Sequence, residues 1–141
     1  PAVLEVARKT AIEKSISPRV NYIEGNYHES VFKDDEYDLA ILGNVTHIET
    51  EEGNNDLFST LSRAIKKNGK LIITACLSES DKGETAKWLY QLGLAIRTEN
   101  GKVYPPETLK KWLTEHGFGH FEFHSLDITP YTMGALIATK L

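Results

Sequence analysis

A chain of 141 residues with 40% hydrophobic and 26% charged residues has an ordinary globular composition and the length to bury roughly two-thirds of its unfolded surface in one domain. Its 16 basic and 20 acidic residues leave a net charge of −4, and with no long run of Lys or Arg, nucleic acid is not an expected partner. No apolar stretch approaches the ~20 residues that cross a bilayer, no signal peptide opens the chain, and the single Cys76 cannot close an intramolecular disulfide, so a reducing cytoplasm is expected and a membrane is not.

Residues 2–15 place Val3, Ala7 and Ala11 four apart with Val6 in the same stripe, which predicts a helix that Ser17-Pro18 stops. Pro1 suits the first turn, and a start directly on this segment, without methionine or leader, reads as an N-terminally truncated chain. Residues 19–24 alternate and are bounded by Pro18 and Gly25, the pattern of a strand. Residues 37–42 are continuously apolar past Asp38, as expected for a parallel strand covered on both faces.

Residues 51–67 carry Leu57, Leu61, Ala64 and Ile65 on one face, acids at the start and Lys66 and Lys67 at the end, and Asn68-Gly69 closes this helix. Residues 70–75 then read as a short buried strand, beside which Cys76 reads as a small buried hydrophobe. A helix follows from Asp81 with Trp88, Leu89 and Leu92, weakened at Gly93 and ended by Glu99-Asn100-Gly101. Another opens at Pro105-Pro106, turns Leu109, Trp112 and Leu113 inward and closes at His116-Gly117, a glycine suited to a left-handed cap. Residues 120–126 and 132–139 read as two final strands. The order predicts an α/β fold, Rossmann-like and doubly wound, with a mostly parallel sheet and an antiparallel C-terminal hairpin.

Taken in order, PAVLEVARKTA, RVNYIEGNYHES, YDLAILGNVTHIETEE, LSRAIKKNGKLIIT and ETLKKWLTEHGF resemble successive landmarks of the class I S-adenosylmethionine-dependent methyltransferases, most closely the small-molecule O-methyltransferases. Gly25-Asn26 stands where the family has Gly-Asp after a strand, Asn68-Gly69-Lys70 at its glycine turn, and Gly117-Phe118 at the end of a late helix. The resemblance implies that residues 1–141 are the C-terminal portion of such a catalytic domain. The family's glycine-rich loop and the acid after its second strand would precede Pro1, and neither occurs in this chain.

What the resemblance implies for individual residues is specific. Asn26 would accept from the adenine amino group of S-adenosylmethionine and Tyr27 would pack on its ring; without the family, Asn26 is a residue of a Gly-Asn turn and Tyr27 a rim aromatic. Gly43 is where the family's backbone passes the cofactor, and Asn44 would donate to cofactor or substrate. His47 stands where related enzymes have the base that takes the proton of a hydroxyl acceptor, a task suited to an imidazole of ordinary pKa near 6.5; the alternative is a loop histidine that helps cap the next helix. The acid that orients this histidine in the family has its counterpart near Ala75, so either Glu49, Glu51 or Glu79 substitutes for it or the mechanism is independent of a base and driven by positioning alone. Trp88 and Leu92 are expected in the core and Tyr104 at a pocket mouth. His28, His116, His120 and His124 share no element at ligand spacing, and no metal is expected.

The implied function is methyl transfer from S-adenosylmethionine to a small-molecule hydroxyl, by a fragment inactive alone. The implied partners are that acceptor, and either a second copy or a polypeptide supplying the missing N-terminal half, because the family's absent first strand would lie beside residues 37–42. The alternative is a non-catalytic or partner-dependent binding module. A dinucleotide oxidoreductase is disfavoured because no Gly-x-Gly-x-x-Gly follows a strand.

Overall fold

The computed structural model describes residues 2–77, 84–126 and 133–141, so Pro1, Glu79, the expected helix start at Asp81 and the expected strand start at Thr132 lie outside the described residues. The chain falls into two units, Pro1–Val31 and Phe32–Leu141.

In the first unit, α1 (Ala2–Glu13) forms where the four-residue spacing predicts it. Its end is closed by the Ile16 N–H, which donates to the Ala11 carbonyl at 2.9 Å. Tyr22 folds back on α1: its hydroxyl donates to the Ala7 carbonyl at 3.3 Å, and the Arg8 guanidinium lies 4.6 Å from its ring centroid. The strand expected at 19–24 does not form. Instead a single 3-10 turn at Ser17–Arg19 runs into chain without a ladder. A strand is defined by hydrogen bonds to a neighbour, and the described strands pair among themselves. Alternation supplied the side chains but no partner.

The second unit contains β1 (Tyr37–Gly43), α2 (Glu51–Ala64), β2 (Ile65–Ala75), α3 (Glu84–Arg97), α4 (Pro106–Glu115), β3 (Phe118–Leu126) and β4 (Met133–Lys140). The sheet order is β1-β2-β4-β3, with β1 parallel to β2 and both β2–β4 and β3–β4 antiparallel. The α/β class and the antiparallel C-terminal hairpin are as expected. Within the described residues the sheet is mixed rather than mostly parallel, because the segment 19–24 that would have extended its parallel part is not a strand.

One boundary moved for a local reason. Asn68-Gly69, expected to end α2, instead lies within β2, and the helix stops at Ala64. Pairing with β1 steps from Tyr37↔Ile65 to Leu39↔Lys70, so the intervening residues bulge out. Asn68 adopts φ +65°. A Cβ on Gly69 would lie 2.6 Å from Ile65 Cγ2 and 2.8 Å from the Lys66 carbonyl oxygen, so only glycine fits.

The core lies between one face of the sheet and the pair α2 and α4. Leu57, Phe58 and Leu61 of α2 and Leu109, Trp112 and Leu113 of α4 close over Leu71, Ile73 and Leu136. Helix α4 matches its expected inward face, and Gly117 caps it at φ +79°. Strand β1 departs from its expected two-sided cover. Leu42 and Ala40 join the core, but Leu39 and Ile41 point the other way, Ile41 at 62% exposure. Within the sheet, β1 is an edge strand.

Helix α3 also departs, because Trp88 and Leu92 are exposed while Tyr90 and Leu94 turn inward onto Cys76, Val103 and Met133. It is apolar on several sides, so periodicity does not choose its inner face. Cys76 is buried as expected. Among the described residues no helix is long and apolar enough to cross a membrane.

Leu109 is wholly buried between α4 and the sheet. Leu109→Ala should therefore lower unfolding free energy by about 2–5 kcal/mol, read from the urea midpoint at constant m-value; a loss below about 0.5 kcal/mol would mean that α4 is not seated as described.

Candidate functional site

The carboxyl end of β1 is shaped by backbone. The Asn44 N–H donates to the Thr74 carbonyl at 2.8 Å, prolonging the β1–β2 pairing by one residue, and Asn44 then turns the chain at φ +58°. Asparagine tolerates that left-handed conformation better than most residues. Gly43 and Asn44 are exposed, and the position a Cβ would take on Gly43 has only Thr74 Oγ1 nearby, at 3.9 Å.

The segment that follows is held from below by Asn54. This side chain is fully buried in α2, and its Nδ2 donates to the Thr46 carbonyl at 2.9 Å and to the Thr50 carbonyl at 3.0 Å. One amide thus fixes both ends of the residues that carry His47. Thr50 caps α2, its Oγ1 accepting from the Gly53 N–H at 3.0 Å. The N-cap position of α2 therefore belongs to Thr50, and His47 is not needed there.

His47 is only 6% exposed. Its Nε2 lies 3.2 Å from the Tyr90 hydroxyl, and the two rings meet edge to face with centroids 5.4 Å apart. Its Nδ1 is buried without a hydrogen-bond partner. Its carbonyl accepts from the Lys102 N–H at 2.8 Å. Neither Glu49 nor Glu51 orients the imidazole, since the Glu49 carboxylate lies over Gly53 at the start of α2 and Nδ1 is unpartnered; Glu79 is outside the described residues. Burial, and secondarily the positive charge of Arg97, hold the His47 pKa below its ordinary 6.5. The imidazole is thus kept neutral.

The other expected residues fall as follows. Asn26 and Tyr27 belong to the first unit, where the Asn26 Oδ1 accepts from the His28 N–H at 3.1 Å and its Nδ2 faces Glu29 Oε1 at 3.4 Å. That is a side-chain-stabilised turn. Tyr27 is partly exposed, its ring centroid 4.5 Å from that of His28. Gly43, Asn44 and His47 share one loop. Tyr104, expected at a pocket mouth, is instead buried, its hydroxyl donating to the Glu49 carbonyl at 3.1 Å and its ring 5.0 Å from that of Trp112.

A groove of about 720 Å³ does open beside α3, and Trp88, Gln91, Lys102 and Pro105 are among its walls. Gln91 braces its far side, its Nε2 donating to the Gly101 carbonyl at 3.0 Å and its Oε1 accepting from the Val103 N–H at 2.7 Å. Among the described residues no three His, Cys, Asp or Glu side chains converge as a metal site.

Sequence reasoning missed Asn54 and Tyr90. Asn54 had a signal: it sits on the stripe of Leu57, Phe58 and Leu61, where a polar residue must have a buried partner. Tyr90 had none, because its role depends on α3 facing a loop 43 residues earlier.

The family profile described as the O-methyltransferase domain matches residues 1–119. O-methyltransferase 7 of Dictyostelium discoideum is 34% identical over 70 residues, half of this chain but 20% of that protein. Among solved structures, a putative O-methyltransferase of Nostoc punctiforme superposes with a TM-score of 0.86 at 27% identity, covering 98% of this chain and 41% of that one. Human N-acetylserotonin methyltransferase, solved in complex with S-adenosylmethionine, superposes with a TM-score of 0.73 at 25% identity over 87% of this chain and 34% of that one. The chain thus spans well under half of each relative.

The depressed pKa of His47 has a consequence for stability. As pH falls, the unfolded chain takes up the proton first, so the stability due to neutral His47 is complete above about 6.5 and is lost as pH falls through the lower folded value. Urea unfolding at about pH 7.5 and about pH 5.5 should show a loss on acidification that is smaller in His47→Gln; equal losses in both proteins would contradict the depressed pKa.

Proposed function

This chain belongs to the O-methyltransferase domain family, and from that membership we propose that it is part of an S-adenosylmethionine-dependent enzyme that methylates a hydroxyl of a small molecule, with His47 as general base. The observation that carries the reading is the placement of His47: a buried imidazole held neutral, four residues beyond Gly43 at the carboxyl end of a parallel strand. Ligands of open α/β sheets bind at such ends.

The residues present fit the cofactor the family implies. Gly43 and Asn44 leave an exposed, uncrowded backbone bend, and Asn44 offers a carboxamide beside it. Asn26 and Tyr27 are assigned to the adenine by resemblance, though the turn hydrogen bonds already engage the Asn26 carboxamide. When bound, S-adenosylmethionine supplies an electrophilic methyl group. The chain's own part is positional and acid–base: the loop held by Asn54 fixes an imidazole whose low pKa leaves one ring nitrogen unprotonated, as taking the acceptor's proton requires once that nitrogen is reached. The segment 99–103 that walls the groove beside α3 is tied to this loop through Lys102 and His47, which favours the groove as the way in for the acceptor.

A second reading is a partner-dependent or non-catalytic module with the same fold. It is favoured by the enclosure of His47, whose Nε2 is engaged by Tyr90 and whose Nδ1 is shut off from solvent.

One measurement separates them. In the protein that carries this chain, His47→Ala should slow turnover by ~10²–10⁴-fold with cofactor affinity nearly unchanged; undiminished turnover would favour the second reading.

The 141-residue chain alone contains no glycine-rich loop to hold the amino acid and ribose ends of the cofactor. The few remaining contacts, at about 1 kcal/mol net each, fall short of the ~8 kcal/mol of micromolar binding. Calorimetry should find weak or no binding of S-adenosylmethionine, and sedimentation should find self-association through the apolar β1 edge. A monomer with micromolar affinity would refute both expectations.

A further inference from the structure

Among the described residues, His47 has no carboxylate partner of the kind the resemblance leads one to expect, yet its ring is not loose. We propose that Tyr90 is the positioning residue of His47, its hydroxyl oxygen accepting a hydrogen bond from Nε2–H and so leaving the imidazole's lone pair on Nδ1. The inference rests on the base reading of His47 only for its catalytic meaning; the geometry stands by itself.

Three observations support it. Tyr90 Oη and His47 Nε2 are 3.2 Å apart, and the perpendicular packing of the rings, at 87°, restricts rotation of the imidazole about its own axis. Nδ1 is buried with no partner, so whichever tautomer exists leaves one group unsatisfied there. A bare lone pair is the less costly of the two, because orphaned buried N–H groups are rarer than under-satisfied acceptors. That places the proton on Nε2, directed at Tyr90. The anchoring is independent of the catalytic loop, since Tyr90 belongs to α3 and packs with Leu94, Cys76 and Val103.

The charged and titratable groups around the ring are consistent with this division. Arg97, also on α3, is the cation whose field reaches the imidazole. Lys102 contributes its backbone N–H to the His47 carbonyl, while its ammonium lies 5.4 Å from the centroid of the Tyr104 ring. Glu49 directs its carboxylate to Gly53, and burial keeps Cys76 as a thiol. No carboxylate among the described residues hydrogen-bonds His47, which leaves the Tyr90 hydroxyl as the group that orients it.

The two possible directions of the Tyr90–His47 bond have opposite signatures. An oxygen that accepts from Nε2–H also supports the imidazolium, so its loss lowers the His47 pKa further; a hydroxyl that donates to a bare Nε2 supports only the neutral ring, so its loss raises it. Nitrogen-15 NMR of the full 141-residue chain should therefore find the neutral ring of His47 protonated on Nε2. In Tyr90→Phe, which keeps the packed ring, the His47 pKa should fall by about 0.5–1 unit, a three- to tenfold loss of proton affinity. A neutral ring protonated on Nδ1 in the unaltered chain, or a pKa that rises or stays put in Tyr90→Phe, would overturn the proposal, and the first of these needs no variant to fold. If the tautomer and the shift are as expected while His47→Ala leaves turnover intact, the base reading falls and the positioning of His47 by Tyr90 stands.

Discussion

Strand β2 is the member on which the second unit depends, because it is hydrogen-bonded along both edges, to β1 in parallel and to β4 in antiparallel. Its backbone polar groups are satisfied from two sides, and the fully buried Leu71 and Ile73 project from it into the core. The helices follow from that. Helix α2 runs directly into β2 at Ile65, and α4 leads through Gly117 into β3, which reaches β2 through β4. The bulge at Asn68-Gly69 is the local adjustment that lets a helix end and a strand begin without an intervening loop while keeping register with β1.

The site inherits its order from the same source. The loop leaving β1 begins with a hydrogen bond to β2 through Asn44 and Thr74, passes over the buried Asn54 amide, and ends at the Thr50 cap of α2. His47 is therefore placed by two elements whose own positions are set by the core. Burial then does the chemistry: removal from water disfavours the imidazolium, and Arg97 adds to the effect. Among the described residues no carboxylate hydrogen-bonds the ring, which distinguishes the arrangement from a histidine–carboxylate dyad.

The likeness to O-methyltransferase structures extends over nearly all of this chain but less than half of theirs. An apolar edge strand such as β1, with Leu39 and Ile41 turned away from the core, normally has a neighbour.

Much of this was legible in the order of residues. The amphipathic spacing of α1, the Pro105-Pro106 start and Gly117 end of α4, the buried runs of β2 and β4, and the loop holding Gly43, Asn44 and His47 are local patterns, set by helix period, strand alternation and the special conformations of Pro and Gly. Those are short-range constraints, and a sequence states them directly. What needed the tertiary structure was every question of partnership. Residues 19–24 have a strand's alternation and no strand partner among the described residues; Trp88 and Leu92 have a core residue's chemistry on the outer side of α3; Tyr104 is walled in by Trp112; and Tyr90 meets His47 across 43 positions of sequence. A hydrogen bond or a packed face takes two groups. The sequence names each group alone, and only the fold decides which of them meet.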